Sequence, residues 1–269
     1  MKNATVALRW SVLVSAVLCV AMAVGQDRPK NNDPAARERL RIVNERLAAI
    51  GPYEQRAEEH YFAGEYVQAE VECQRAIVMY EAIDISAAMS AKILLAEIDL
   101  EVGRIDEAIQ ILEGIRQPSD PHISVSPSFR VLSGLVLGYL RLGNASQAQG
   151  RLAELTALAT EARACPEAWS ELQALRQGNS SSWQALALCL RAQEVATKRR
   201  ALRYLSRAAQ QAPTNRGVCL LYGVALRFER RWPEAKTQLE RAASGVGRCA
   251  DAARAQLKAG ALPPPRSGG

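Results

Sequence analysis

The sequence predicts an all-α protein assembled from repeated units, and two observations carry that expectation. Of 269 residues, 48% are hydrophobic but only 5% aromatic, and Ala, Leu, Glu, Arg and Gln abound, a composition that favours helices over sheets. The second observation is a spacing that recurs. In HYFAGEYVQAEVECQRAI (His60 to Ile77), Gly64 is followed by Tyr66, Ala69 and Cys73. Gly103, Ile105, Ala108 and Leu112 repeat those offsets, and so do Gly143, Ala145, Ala148 and Leu152. Two degenerate copies follow, one with Ala201, Leu205, Ala208 and Pro213, the other with Gly223, Trp232, Ala235, Leu239 and Ala242. A spacing that returns five times has a structural cause.

Residues 1–25 read as a signal peptide. Lys2 and Arg9 precede the apolar run WSVLVSAVLCVAMAV, which is short for a membrane span and ends in small residues before the polar QDRPKNND. Cleavage after Ala23 or Gly25 fits, so the mature chain is expected to be exported, periplasmic or secreted, and soluble. An uncleaved anchor or a lipid-modified Cys19 is the weaker reading, because Leu18 stands where a small residue is expected before a lipidated cysteine. A flexible segment is expected over 26–33, the helical array over 34–262, and a disordered PPPRSGG tail over 263–269.

Within the array, DPAARERLRIVNERLAAIGP has an Asp-Pro start, apolar residues at Leu40, Val43, Leu47 and Ile50, and a Gly-Pro stop, so it predicts a separate amphipathic leading helix. QPSDPHISVSP (Gln117 to Pro127) predicts a loop. The alanines at the fifth offset lie 39, 40, 53 and 34 residues apart, and the longest interval holds PEAWSELQALRQ (Pro166 to Gln177), an inserted helix, before GNSSS. CADAARAQLKAGA after the last copy predicts a helix that closes the exposed end.

The pattern resembles the tetratricopeptide repeat, and the interval of 34 between Ala201 and Ala235 is the length of that repeat. The resemblance covers most of Tyr53 to Ala243 and implies a right-handed solenoid of about five helix-turn-helix hairpins. In each, a glycine supplies the positive φ that ends the first helix, and small residues let the two helices approach closely. In the fourth copy Ala196 stands in for the glycine.

Motifs for chemistry are missing from the sequence. His60 and His122 are the only histidines, and there is no Cys-x-x-Cys, no Gly-x-Ser-x-Gly and no phosphate-cradling glycine loop. No enzyme, cofactor or metal is expected. Cys73 occupies a large apolar hairpin position. Cys165, Cys189, Cys219 and Cys249 form an even set in the C-terminal half, and export permits disulfides. Four cysteines allow three connectivities; Cys165 with Cys189 and Cys219 with Cys249 would tie the inserted and closing helices to the array.

A solenoid of this type implies a concave groove lined by first helices. By register, the groove residues are Glu54, Glu58, Tyr61 and Phe62 in the first copy, Glu97 and Glu101 in the second, Arg130 and Arg141 in the third, Leu190, Gln193 and Glu194 in the fourth, and Arg227 and Phe228 in the fifth. Glutamates stand where family members that grip a C-terminal carboxylate carry Lys, Arg and Asn, so that clamp is not implied. Charge is uneven: Gln26 to Leu135 holds 12 basic and 19 acidic residues, and Val136 to Gly269 holds 20 and 9. Three partner classes follow. A protein or peptide would lie in the groove with Tyr61, Phe62 and Phe228 as anchors. Opposite charge at the two ends would favour head-to-tail self-association. The basic cluster Lys198, Arg199, Arg200, Arg203 and Arg207, joined by Arg227, Arg230 and Arg231, would meet an anionic lipid or polymer surface, whereas nucleic acid is disfavoured by export and sparse aromatic interleaving.

Overall fold

The structure is a computed structural model that describes residues 34–83, 88–116, 128–194 and 198–260. The signal segment, residues 26–33, the loop from Gln117 to Pro127 with His122, Ala196 and the 263–269 tail lie outside the described residues. Among the described residues there are twelve α-helices and no strand. None of these helices is long and apolar enough to cross a membrane. The chain divides into two compact units between Ile98 and Asp99.

The first unit contains α1 (Pro34–Ala63), α2 (Tyr66–Glu81) and the start of α3 (Met89–Val102). Helices α1 and α2 form a hairpin. Gly64 has φ +85°, and the turn is closed by Gly64 N–H to the Tyr61 carbonyl at 3.1 Å and Glu65 N–H to the His60 carbonyl at 2.9 Å. Ala57, Ala69, Cys73 and Ala76 are fully buried. Around Ile50, Tyr80, Ala88 and Ala91, the core gathers Leu47, Tyr53 and Ile77.

The expected Gly-Pro stop does not form. Helix α1 runs 30 residues straight through Gly51 and Pro52, fusing the leading helix to the first hairpin. The proline ring pushes the preceding residue out of the helical region by clashing with its backbone N–H and its Cβ, and Gly51, which has no Cβ, escapes the second part of that clash. The carbonyl that Pro52 leaves without an N–H partner is that of Ala48, which is an exposed residue, as Gly51 and Pro52 are.

The second unit carries the end of α3, α4 (Ile105–Arg116), α5 (Phe129–Arg141), α6 (Ala145–Glu161), α7 (Trp169–Ala174) with a 3₁₀ turn at Leu175–Gln177, α8 (Ser180–Arg191), α9 (Lys198–Gln211), α10 (Arg216–Phe228), α11 (Trp232–Ala243) and α12 (Arg248–Ala259). Helices α5 and α6, α8 and α9, and α10 and α11 pair as hairpins; α5 packs on α8, α9 on α10, and α12 on both α11 and α10. The inserted helix α7 lies on α10, so close that a Cβ at Gly217 would stand 2.9 Å from the Ala168 carbonyl oxygen. Asn144, Asn179 and Asn215 cap α6, α8 and α10 with their side-chain oxygens.

The repeat offsets coincide with burial. Ala108, Ala148 and Ala235 are fully buried, as are Leu112 and Leu239. Twelve residues before each repeat alanine stands a second buried residue: Ala57, Ala96, Val136, Cys189 and Gly223. The last hairpin turns without glycine. Arg230 adopts φ +62°, with Arg231 N–H bonded to the Leu226 carbonyl at 3.0 Å, a conformation that costs a non-glycine residue about 1–2 kcal/mol.

Candidate partner-binding surface

The first-helix positions divide into buried and accessible sets. In the first unit, Tyr61 is fully buried, its ring 5.2 Å from that of Phe62 and 6.0 Å from that of Tyr66. It is a core residue of the α1–α2 hairpin and no anchor, because its position faces α2 at the turn. Phe62 and Glu58 are half-buried. Glu54 is also half-buried and accepts a hydrogen bond from Ser90 Oγ, joining α1 to α3. Burial, reinforced by the Glu54 charge, pushes the Tyr80 hydroxyl well above its ordinary range. Glu97 is 1% exposed, so the expected groove carboxylate on α3 is interior.

In the second unit most of the expected charges hold the array together. Asp99, buried, accepts from Arg104 across the α3–α4 turn at 2.7 Å. Glu101 is ion-paired with Arg207 at 2.5 Å, so one expected groove residue and one member of the expected basic patch neutralise each other. Arg141 donates to the Leu100 carbonyl. Arg227 donates to the Gly260 carbonyl at 2.7 Å and to Gln256 Oε1 at 2.8 Å, pinning α12 onto α10. Arg130 and the patch residues Arg200 and Arg203 are half-buried, and the side chains of Lys198 and Arg199 lie outside the described residues. Phe228 remains accessible: at the end of α10 its ring is 49% exposed, one turn beyond half-buried Val224.

Sequence reasoning missed three features. Glu194, expected in the groove and standing just after α8, accepts from the backbone N–H groups of Phe129 at 2.8 Å and Arg130 at 2.7 Å, filling the positive end of α5 with a carboxylate from 64 residues away. Glu113 on α4 meets Arg116, Tyr139 of α5 and Arg151 of α6, with Glu154 completing the cluster. Burial alone would raise the Glu113 carboxyl, but the Arg116 hydrogen bond and the charges of Arg151 and Arg116 outweigh it and hold the pKa below the ordinary value. The third feature is a line of exposed valines on α2, which the repeat pattern masked because it marks only the buried face.

Cys189, Cys219 and Cys249 are buried thiols, so neither expected disulfide is closed. Cys189 fills a small packing position of its hairpin, and the other two point into the α10–α12 core. Burial pushes the Cys189 and Cys219 thiols up, and the Cys249 thiol to about 11. The neighbouring Cys165 and Cys219 thiols raise Cys189 further. Among the described residues, no group of three or more His, Cys, Asp or Glu side chains is arranged to hold a metal ion.

Consecutive antiparallel hairpins, each with a buried residue twelve positions before a buried alanine, decide the architecture. The all-helical fold resembles the tetratricopeptide-repeat solenoid. No protein-family model matches the sequence, and no curated protein matches it. Solved tetratricopeptide-type structures do. YrrB, described as a tetratricopeptide-repeat protein with an unusual peptide-binding site, is 15% identical over 82% of this chain and 97% of its own, with a TM-score of 0.36. PilF of Pseudomonas aeruginosa is 16% identical over 80% and 93%, with a TM-score of 0.39. The TPR2AB domain of yeast Sti1, solved with an Hsp90 peptide, is 14% identical over 78% and 95%, with a TM-score of 0.31.

Proposed function

We propose that the mature chain is an exported, non-enzymatic scaffold that holds a protein or peptide partner against the first-helix side of its second unit. The observation that carries this reading is Phe228. Val218, Leu220 and Leu226 of α10 are inside, and Arg227 locks the end of that helix to α12, yet the adjacent Phe228 stands 49% exposed on this fixed support. A rigid, half-exposed aromatic is the kind of residue that anchors an interface. Export is supported by Lys2 and Arg9 ahead of a short apolar run.

Head-to-tail stacking is less favoured, because α12 already covers α11 and α10 at the C-terminal end. An anionic surface is less favoured too, since Arg207 is committed to Glu101 and Arg231 to Glu234. The reading is tested with a photo-crosslinking amino acid at Phe228 and, as a control, at exposed Thr237 of α11, in the native host's envelope. One protein captured from position 228 and not from 237, and lost when Val224→Asp is added, supports it. Equal capture from both positions refutes it. N-terminal sequencing of the recovered chain tests export separately: a start at or near Val24 or Gln26 is expected, and an intact Met1 refutes it.

A further inference from the structure

Helix α2 is apolar on two opposite faces. Ala69, Cys73, Ala76 and Tyr80 are turned into the first unit's core. On the other side Val67, Val71 and Val78 are 72%, 42% and 64% exposed. Together with exposed Gln74 they stand four, three and four residues apart, the spacing that keeps one line of side chains on one face of a helix and defines a coiled-coil seam. Exposed apolar residues scattered singly are ordinary, but three valines on one line are not scattered. A shallow depression lined by Tyr53, Val71, Arg75, Val78 and Met79 extends the apolar surface toward α1.

The charges beside the seam specify what covers it. Glu70 flanks one side and Arg75 the other, five residues later. In two parallel helices paired in register, a residue just before a seam position meets the partner residue five places on, so each Glu70 faces an Arg75 of the other helix and the symmetry supplies the contact twice. An antiparallel pair would set Glu70 beside Glu70 and Arg75 beside Arg75. Arg75 already holds Glu72 at 2.9 Å, but a guanidinium has five N–H donors and can take a second carboxylate. β-branched side chains at Val71 and Val78 suit a two-stranded seam. Gln74, which also donates to Glu70 at 3.3 Å, would meet its own copy and fix the register. We propose that α2 pairs, parallel and in register, with α2 of a second copy of this chain. This contact is independent of the partner surface at Phe228 and makes the scaffold two-headed.

The test is sedimentation velocity on the full chain from roughly 1 to 300 μM. Concentration-dependent dimerisation is expected, and the doubly substituted Val71→Lys, Val78→Lys chain should need at least about 100-fold more protein to associate. Both positions are exposed, so its circular dichroism spectrum and melting curve should match those of the parent. Gln74→Cys should close an intermolecular disulfide under mild oxidation while Glu59→Cys, on exposed α1 surface, does not. A parent chain monomeric throughout, a dimer indifferent to the two lysines, or a Gln74→Cys site that links only to a different protein would overturn the proposal.

Discussion

Gly223 and Leu239 offer a measurement of why the repeat demands small residues. A Cβ placed on Gly223 would lie 2.8 Å from Leu239 Cγ and 2.9 Å from its Cδ2, so Gly223→Ala forces α10 and α11 apart or drives Leu239 off its rotamer. Overpacking of that kind costs about 1–3 kcal/mol, offset by about 1 kcal/mol from the better helix propensity of alanine. The net effect is a loss of up to about 2 kcal/mol. Leu239→Ala removes a fully buried side chain and should cost about 2–5 kcal/mol. In the double variant the leucine atoms that blocked the new methyl are gone, and the closest remaining contact is the Leu239 backbone nitrogen at 3.2 Å. Gly223→Ala should then be neutral or stabilising. The same substitution therefore changes sign with its background, a coupling of about 1–3 kcal/mol, measurable by urea unfolding followed by circular dichroism with coincident fluorescence. Additivity within about 0.5 kcal/mol would refute the close-approach reasoning.

Two further outcomes follow from the described contacts. Pro52→Ala restores the missing N–H inside α1 at an exposed site and should raise the thermal midpoint, by the equivalent of about 1–3 kcal/mol; a lower midpoint would show that the unit depends on the proline. The thiols of Cys189, Cys219 and Cys249, with pKa values pushed above the ordinary cysteine range, should resist alkylation in the folded chain at neutral pH. Because the unfolded chain releases these protons first, their contribution to stability is complete below the unfolded thiol range, near pH 9, and falls as pH rises toward about 11 for Cys249. Rapid alkylation of the native protein at pH 7, or midpoints that do not drop between pH 8.5 and 10.5, would contradict that burial.

The fold was largely legible because its determinants are local and periodic. Ala69, Ala108, Ala148 and Ala235 mark where second helices press on first helices, and Gly64, Gly103 and Gly143 mark turns at positive φ. The pattern misled where backbone chemistry was judged from one residue alone. Gly-Pro reads as a stop, yet glycine is the residue that relieves the steric clash ahead of proline, so α1 continues. Arg230, an arginine at the offset where the first three copies carry glycine, occupies the left-handed region because packing on both sides of the α10–α11 turn outweighs a local cost of about one or two kcal/mol.

The surface was much less legible, and the reason is geometric. Register assigns a residue to a helix face, but exposure depends on what other elements bring to that face. Tyr61 lies beside accessible Phe62 and is nonetheless the fully buried ring of the pair. Glu101 and Arg207 stand 106 residues apart, and only the packing of the second unit makes them an ion pair that subtracts from both the expected groove and the expected basic patch. Glu194 is the single acidic residue between Glu171 and Glu229 and stands at the fourth hairpin's turn by sequence, and folding delivers it to the start of α5. Charges counted along the chain thus overstate the field available to a partner, since long-range pairing consumes them. Exposed apolar residues are not consumed in this way. Phe228 and the valine line of α2 survive folding as exposed surface, which makes them the more informative guides to what this scaffold contacts.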